Sequence, residues 1–170
     1  ASSILANGMS GILPGEQAFD VLGHDVHFEV HRVACLLVTQ RGDLHRVRDH
    51  GDAEAIVVIN GSPFHRTQQQ VREQVLAARA QENSLPLIYV NMVGGQDELV
   101  FDGGSVVVDA QGQVQFRAPL FEEKLCVVEL ERRGGGLVPV GAAPTPVPPL
   151  AERVYRALVL GTRDYVDKNG

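Results

Sequence analysis

The stretch AIVVINGSPFH, residues 55–65, decides the fold because an apolar run ends abruptly there in polar residues. A short, continuously apolar run bounded by turn residues is typical of a strand that is buried on both faces of a sheet. We therefore predict a buried strand over Ala55–Asn60. Asn60 and Ser62 then lie at its carboxyl end, and Ser62-Pro63 begins the next element.

The sequence after residue 65 predicts a helix followed by another buried strand. Apolar residues recur at i, i+4 and i+7 among Gln, Arg and Glu, which indicates the buried face of an amphipathic helix: Val71, Val75 and Ala78. The second buried strand is predicted over Leu87–Val93. Residues 105–118 then predict two strands joined by a turn at Asp109–Gly112, as an antiparallel continuation of the sheet. One more strand is predicted over Phe121–Glu131.

The sequence before residue 55 extends the same layered pattern. Residues 26–31 alternate between apolar and polar, and Val33–Val38 is continuously apolar, as expected for a strand that enters the interior. A short helix is predicted over Asp43–His50. Because strands alternate with helices, we predict an α/β fold.

The C-terminal part predicts a linker and then a helix. Residues 132–149 hold five prolines and four glycines, so we predict no ladder or helix there. Beyond this linker, a helix is predicted over residues 150–170 from apolar and small residues at helical spacing: Leu150, Val154, Leu158, Gly161 and Tyr165. The domain prediction is therefore a unit over 1–131, a linker over 132–149 and a further helix over 150–170.

Composition limits the classes of partner. The chain of 170 residues has a net charge of −6, which argues against nucleic acid as a partner because phosphate binding needs clustered Lys and Arg. No run of about eighteen apolar residues occurs, so we predict no membrane partner and a cytoplasmic protein. Cys35 and Cys126 both lie in apolar segments and are predicted to be buried, reduced thiols.

Histidines suggest a metal site only weakly. His27, Glu29 and His31 would share one face of a strand, where successive side chains are about 7 Å apart, too far to converge easily on one ion. A solvated strand face is the better interpretation, and we predict no metal site.

Polar residues at the strand ends are the stronger functional signal. Ligands of open α/β sheets bind in the crevice at the carboxyl ends of the strands, where Asn60, Ser62 and residues 91–96 are predicted to lie. Arg72 follows Ser62 by ten residues, so its guanidinium could reach back toward a carboxylate ligand. Two structural alternatives stay open, namely that Ser62 caps the following helix and that Gly94-Gly95 forms a simple turn.

The motifs INGSPFH (59–65) and PLIYVNMVGGQDELVFDGGS (86–105) resemble the glutaminase half of the bacterial glutamine-dependent NAD synthetases. These are members of the carbon–nitrogen hydrolase (nitrilase) superfamily. The segment RVYRALVLGTRDYVDKNG (153–170) resembles the opening helix of the ATP-using synthetase domain of the same family. The resemblance implies a nitrilase-like α-β-β-α sandwich, here incomplete at its N-terminus, with a C-terminal linker and helix.

The resemblance also implies a reaction. In this family a Cys, a Glu and a Lys hydrolyse the side-chain amide of glutamine, and the ammonia amidates deamido-NAD activated by ATP. Ser62 and Arg72 fall where the family contacts the amino-acid end of glutamine. The resemblance implies no cofactor in this chain, ATP and Mg²⁺ in the synthetase domain, glutamine as the ligand, and a homo-oligomer.

Departures from the family pattern affect the catalytic groups. The nucleophile of the family stands in a strand-end Cys-Glu-Asp motif, and the matching positions here are Val38, Thr39 and Gln40. Cys35 lies three residues upstream, on the opposite face of a strand from position 38. Gln68 stands where many relatives have Lys, and no position matches the catalytic Glu or Lys. We therefore expect no intact catalytic triad and no glutaminase activity from this chain alone.

Two other functions remain possible on the sequence. The chain could be a non-catalytic nitrilase-fold scaffold or oligomerisation module. It could also hydrolyse another amide with different groups, although VGGQDELVFDGGS and the synthetase-like C-terminal segment argue against this.

Overall fold

The computed structural model describes the backbone of four short strands before residue 38, together with residues 53–141 and 143–169. The strands and helices in chain order are β1 (Ile12–Leu13), β2 (Gln17–Val21), β3 (His24–Phe28), β4 (Val33–Leu37), β5 (Ala55–Asn60), α1 (Gln68–Asn83), β6 (Leu87–Asn91), β7 (Val93–Gln96), β8 (Leu99–Asp102), β9 (Val106–Val108), β10 (Val114–Arg117), β11 (Glu129–Arg133), β12 (Gly136–Val140) and α2 (Leu150–Asn169). The helix expected over Asp43–His50 lies outside the described residues.

A six-stranded mixed sheet in the order β1-β4-β5-β6-β9-β10 forms the centre of the fold. β4, β5 and β6 are parallel neighbours, and α1 makes the crossover from β5 to β6. β9 and β10 continue the sheet in antiparallel fashion. The α/β prediction, the strand at Ala55–Asn60 and the antiparallel continuation are confirmed. The strand predicted over Leu87–Val93 is two strands, because the ladder is interrupted at Met92.

The main hydrophobic core lies between α1 and one face of this sheet. Its buried members come from α1 and three strands: Ile56, Val58, Leu76, Ala80, Leu87, Tyr89, Val106 and Val108. Ala55 and Val57 are buried as well, so β5 is covered on both faces as a continuously apolar strand requires.

The buried face of α1 is not the one that apolar spacing predicts. Val71 and Val75 are 45% and 41% exposed, and Ala78 is exposed. The buried side chains are Gln69, Arg72, Leu76 and Ala80. The predicted face is wrong because α1 turns a partly polar face inward, where buried polar groups at the strand ends need hydrogen-bond partners. α1 begins at Gln68, after Thr67, so the alternative that Ser62 caps this helix is also wrong.

The strand predicted over Phe121–Glu131 is formed only in part. Phe121 has a φ of 61° and donates its N–H to the Asp102 carbonyl, so the chain turns away from the sheet at this residue. Leu125 and Val127 are 68% and 83% exposed, and the thiol of Cys126 is free and only half-buried. The prediction that Cys126 is a buried thiol is therefore wrong.

The predicted linker contains a β-hairpin. β11 and β12 pair in antiparallel register, although the prediction for residues 132–149 allowed no ladder. Gly134 and Gly135 have φ values of 58° and 88°, which is the left-handed backbone that a two-residue hairpin turn needs. Pro139 is compatible with β12 because a two-stranded ladder leaves half of its N–H groups pointing away from the partner strand.

The proline-rich segment after this hairpin is attached to the sheet. Thr145 donates its N–H to the Arg117 carbonyl at 3.1 Å, and Arg117 Nη1 donates to the Thr145 carbonyl at 2.6 Å. The same Arg117 forms a bidentate pair with Glu73 of α1, at 2.6 and 2.8 Å. These hydrogen bonds hold the segment around Thr145 against Arg117, the last residue of β10. We call this segment the strap.

Replacing Arg117 with alanine is expected to release this strap. The pair with Glu73 is mostly shielded from water, so we expect a loss of about 1–2 kcal/mol in the free energy of unfolding, between the values for exposed and fully buried pairs. The Thr145 amide should exchange with solvent faster than in the wild type. Urea unfolding and hydrogen exchange measure the two effects.

The pH dependence of the Arg117→Ala effect has a definite sign. Burial raises the pKa of Glu73, but hydrogen bonds from Arg117 and Gln69 and the nearby charges hold it below its usual value of 4.5. A depressed pKa stabilises the fold above 4.5 and loses this contribution as the pH falls through the folded-state pKa. The difference between wild type and Arg117→Ala should therefore shrink in acid. Arg133→Ala, which removes an exposed pair with Glu131, is the control.

Helix α2 packs on the β7–β8 hairpin. Ala157 and Leu160 form a second core cluster with Leu120 and Phe121. The helix is confirmed, but its predicted apolar face is largely outside, with Leu150, Leu158 and Tyr165 exposed by 42%, 66% and 63%. Among the described helices, none is long and apolar enough to cross a membrane.

Both backbone groups of Gly95 are bound by α2. The Gly95 N–H donates to Asp164 Oδ2 at 2.7 Å, and Lys168 Nζ donates to the Gly95 carbonyl at 2.6 Å. We call Gly95, Gly161, Asp164 and Lys168 the hairpin clasp. Gly94 and Gly95 therefore belong to β7, against which α2 packs. They do not form a simple turn, because the chain of the hairpin reverses at Asp97-Glu98.

Candidate functional site

Polar groups converge at the carboxyl ends of β5 and β6. The two strands are parallel, and Asn60 lies opposite Asn91 in their register. Ser62 lies two residues after the end of β5, and Arg72 reaches it from α1. We call Ser62, Arg72, Tyr89, Asn91 and Asp102 the strand-end cluster. Ser62, Asn91 and Arg72 come together as predicted, whereas Val93–Gln96, which were predicted for the same crevice, form β7 and contact α2.

Arg72 is the central cation of the strand-end cluster, and it is 5% exposed. Its Nη2 lies 3.1 Å from Asp102 Oδ1 and 3.3 Å from Ser62 Oγ. Its Nη1 donates to Gln69 Oε1 at 2.8 Å and to the Gly103 carbonyl at 3.2 Å. The guanidinium carbon also lies 5.6 Å from the centre of the Tyr89 ring, within the range of a cation–π contact. The guanidinium is thus fixed in place before any ligand binds.

Asp102 provides the negative charge that balances Arg72. Its side chain is 1% exposed, and burial raises its pKa, which the Arg72 guanidinium only partly offsets. Gly103 and Gly104 follow with φ values of 65° and 62°, so the chain turns sharply after Asp102. A Cβ atom on Gly104 would lie 2.6 Å from Gln69 Oε1, so the two glycines also let the turn approach α1 closely.

Asn91 connects the two strand ends. Its Oδ1 accepts the Ser62 N–H at 2.8 Å and the Tyr89 hydroxyl at 3.3 Å. Its Nδ2 donates to the Gly103 carbonyl at 2.9 Å and to the Ser62 carbonyl at 3.2 Å. Burial raises the pKa of Tyr89, and the nearby Arg72 lowers it by less. Tyr89 therefore stays protonated and can donate to Asn91.

The strand-end cluster is built for binding and orientation. None of its members is a cysteine, and Ser62 Oγ has Arg72 as a neighbour, which is a permanent cation and cannot accept a proton. A serine without a base is a poor nucleophile, so acyl transfer is not the chemistry of this cluster by itself. A fixed donor beside a buried cation instead suits an oxygen acceptor such as a carboxylate.

Several predicted positions lie outside the cluster or outside the described residues. Val38, Thr39 and Gln40 are among the residues that the structure does not describe, as are Glu29 and His31. Cys35 lies in β4, with its backbone opposite Val57. Gln68 is the first residue of α1. Within the described part of the chain, no group of three His, Cys, Asp or Glu residues could hold a metal ion.

Sequence reasoning missed Asn91 and Asp102 as individual site residues. Asn91 was included only in the range 91–96, and Asp102 was assigned no role. The available signal was an acid directly before paired glycines at the end of an apolar run, VFDGG. A buried acid at such a position needs a cation, and Arg72 supplies it.

The carbon-nitrogen hydrolase family model matches residues 37–138, which is more than half of the chain. The chain belongs to the carbon-nitrogen hydrolase family. This carbon-nitrogen hydrolase chain is 46% identical over 118 residues to the glutamine-dependent NAD(+) synthetase of Rhodobacter capsulatus, which covers 69% of this chain and 21% of the relative. It is 33% identical over 161 residues to the corresponding enzyme of Acinetobacter baylyi, covering 92% of this chain and 28% of the relative.

A solved structure extends this likeness to three dimensions. The glutamine-dependent NAD+ synthetase of Acinetobacter baumannii, in complex with ADP, superposes with a TM-score of 0.72 at 32% identity. The match covers 91% of this chain and 28% of that structure. The resemblance and the α/β nitrilase-type fold are confirmed. The carbon-nitrogen hydrolase chain spans only 21% to 28% of the length of these relatives.

Proposed function

We propose that the chain is part of a glutamine-dependent NAD synthetase, in which it contributes the glutamine-binding part of the glutaminase unit. The observation that carries this proposal is the contact between Ser62 and Arg72, 3.3 Å apart at the carboxyl ends of parallel strands. The likeness to the NAD synthetases of Rhodobacter and Acinetobacter supports the choice of glutamine as the ligand. A cytoplasmic location is part of the same proposal.

Ser62 and Arg72 have different roles in this proposal. The Ser62 hydroxyl donates to the α-carboxylate of glutamine, and Arg72, which is paired with Asp102, holds the Ser62 oxygen in place by donating to it. A glutamine held at this end keeps its side-chain amide in one place, which is what hydrolysis by a separate nucleophile needs. ATP and Mg²⁺ would serve the synthetase step of the whole enzyme, and we assign no described residue to them.

Removing the Ser62 hydroxyl tests the binding proposal. Ser62→Ala is expected to weaken L-glutamine binding by about tenfold, because it removes a hydrogen bond to a charged group, worth about 1.5 kcal/mol. Isothermal titration calorimetry measures the affinity. Thr162→Ala, which removes an exposed hydroxyl from α2, should leave binding unchanged. Equal binding by wild type and Ser62→Ala would exclude Ser62 from the glutamine site.

Glutamine hydrolysis gives a separate test of the catalytic part of the proposal. With Val38 at the nucleophile position, we expect no release of ammonia from glutamine above the rate in buffer. Val38→Cys alone should not create activity, because the family also needs a Glu and a Lys. Turnover by the wild-type chain that disappears in Cys35→Ser would contradict this expectation and identify Cys35 as the nucleophile.

The alternative function is a scaffold or oligomerisation module. The outward face of α2 favours it, because Tyr155, Leu158 and Tyr165 are 68%, 66% and 63% exposed. Exposed apolar residues in such a row are typical of a contact surface. This function predicts a stable homo-oligomer in sedimentation analysis together with no measurable affinity for glutamine, whereas the glutaminase proposal requires that affinity in any oligomeric state.

A further inference from the structure

One side chain holds both backbone groups of Ser62. Ser62 lies beyond the last residue of β5, so the β5 ladder does not include its N–H and carbonyl, although the next residue, Pro63, forms an antiparallel bridge with Phe101. The side chain of Asn91 forms hydrogen bonds with both groups. Its Oδ1 accepts the Ser62 N–H at 2.8 Å, and its Nδ2 donates to the Ser62 carbonyl at 3.2 Å. The position of the Ser62 hydroxyl therefore depends on the Asn91 amide.

The Asn91 amide has a single orientation. Its side chain is buried, and its backbone N–H donates to Ser105 Oγ at 3.0 Å. Oδ1 faces the Ser62 N–H and the Tyr89 hydroxyl, both donors, while Nδ2 faces the carbonyls of Ser62 and Gly103. A flipped amide would oppose donor to donor and acceptor to acceptor, so the surrounding groups exclude it.

Arg72 fixes the direction in which the Ser62 hydroxyl can donate. Arg72 Nη2 lies 3.3 Å from Ser62 Oγ and can only donate, so it occupies a lone pair of that oxygen. The hydroxyl hydrogen is then directed to another acceptor, and a ligand has to take the place of the Tyr89 hydroxyl, with which the Ser62 side chain forms a hydrogen bond. With its backbone held by Asn91 and its oxygen occupied by Arg72, Ser62 presents a donor and favours a ligand that offers an oxygen acceptor.

We propose that Asn91 is a positioning residue for glutamine binding, and that through Ser62 it makes the site selective for the carboxylate end of the ligand. This inference rests on the proposed function. Asn91 does not contact the ligand itself. Its contribution is to keep the donor of Ser62 at a fixed place between β5 and β6.

The variant Asn91→Asp tests the proposal because it keeps the shape of the side chain and removes only the Nδ2 donor. When ionised, the introduced carboxylate faces the carbonyls of Ser62 and Gly103, and Asp102 Oδ1 lies 3.4 Å from the Asn91 nitrogen that it replaces. When protonated, its hydroxyl can donate as Nδ2 did. Burial and the nearby Asp102 carboxylate should raise the pKa of this introduced group, whereas Arg72 should lower it.

The expected result is a pH-dependent loss of glutamine affinity. At about pH 8, Asn91→Asp should bind L-glutamine at least about tenfold more weakly than wild type. At about pH 5.5 the ratio of the two affinities should recover by about threefold or more. The charged and titratable groups that face the amide are Asp102, Arg72 and Tyr89, and His65 lies in the adjoining loop; using the ratio removes those effects of pH that are the same in both proteins. Asn83→Asp, which changes the same amide at the end of α1, should bind like wild type at both pH values.

Two further measurements keep the proposal testable. Tyr89→Phe removes one donor to Oδ1 and serves if Asn91→Asp does not fold; it should weaken glutamine binding by about threefold. Hydrogen exchange of the Ser62 amide, measured without glutamine, should be faster in Asn91→Leu than in wild type, because this variant removes the Oδ1 atom that accepts the Ser62 N–H.

The outcomes separate this proposal from the proposed function. If wild type binds glutamine and both variants bind equally well, Asn91 is not a positioning residue and the proposed function stands. If wild type does not bind glutamine, the proposed function fails, and with it the ligand selectivity ascribed to Asn91. In that case faster exchange of the Ser62 amide in Asn91→Leu would still support the structural role of Asn91, and unchanged exchange in that variant would overturn it.

Discussion

Replacing Arg72 with methionine is expected to lower the free energy of unfolding by about 3–5 kcal/mol, the usual effect of removing one partner of a buried ion pair. The Asp102 side chain is 1% exposed and would lose its charged partner. The hydrogen bonds from Arg72 to Gln69 and to the Gly103 carbonyl would be lost as well. Urea unfolding at neutral pH measures the change.

Two comparisons make the Arg72 result specific. Arg79→Met changes the same residue type on α1, where the pair with Glu82 is largely exposed, and should cost less than about 1 kcal/mol. The double variant Arg72→Met/Asp102→Leu should be more stable than Arg72→Met alone, because it removes the uncompensated charge. A loss below about 1 kcal/mol for Arg72→Met would show that another group balances Asp102.

The pH dependence of Arg72→Met follows from the pKa of Asp102. Burial raises this pKa already in the wild type, and the loss of Arg72 raises it further. A raised carboxyl pKa destabilises the fold above the unfolded-state value, and this cost disappears as the pH falls and the group takes up a proton. The deficit of Arg72→Met should therefore be largest at neutral pH and diminish in acid.

Replacing Gly161 with leucine is expected to detach α2 from the β7–β8 hairpin. A Cβ atom at Gly161 would lie 2.9 Å from Val100 Cγ2, and one at Gly95 would lie 3.0 Å from Gly161 Cα. The two backbones are therefore in direct contact, and a larger side chain should cost about 1–3 kcal/mol. The Gly95 amide should also exchange faster, because the displaced helix takes Asp164 away from it.

Thr162→Leu is the matched control for this effect. Thr162 is the next residue of α2 and is exposed, so the same introduced side chain, leucine, meets solvent there. Its unfolding free energy should stay within about 0.5 kcal/mol of wild type. If the Gly95 amide exchanged at the same rate in Gly161→Leu as in wild type, the hairpin clasp would not be what holds α2.

The sequence predicts the order of elements well because that information is local. The apolar run at 55–60 and the turn at 109–112 each carry their own signal, and both are found where expected. The contact between Ser62 and Arg72 was also predictable, since a helix that follows a buried strand must return over its end. The place of Asp102 in the strand-end cluster was not predictable in this way. Pairing between strands that are distant in the sequence brings Asp102 to Arg72, thirty residues away.

The same local signals give the wrong buried faces for both helices. Apolar periodicity predicts that Val71 and Val75 form the buried face of α1. The buried residues instead include Gln69 and Arg72, which form hydrogen bonds with buried polar groups. On α2 it selects Leu158 and Tyr165, which are exposed, and of the predicted residues Gly161 does face the hairpin, where the absence of a side chain allows close approach. Hydrophobic periodicity reports neither the hydrogen-bond requirement of buried polar groups nor the close approach that small residues allow. A helix whose contact face is polar or small is recognised only when its neighbour is known.

The hairpin clasp also fixes the rotation of α2 about its own axis. Gly161, Asp164 and Lys168 meet Gly95 from positions i, i+3 and i+7, which share one side of a helix that turns by about 100° per residue. A rotation by a single residue would carry the carboxylate and the ammonium away from Gly95. The same three contacts therefore determine that Tyr155 and Tyr165 point outward. Gly95, a residue of β7, thus determines which side of α2 is exposed to solvent.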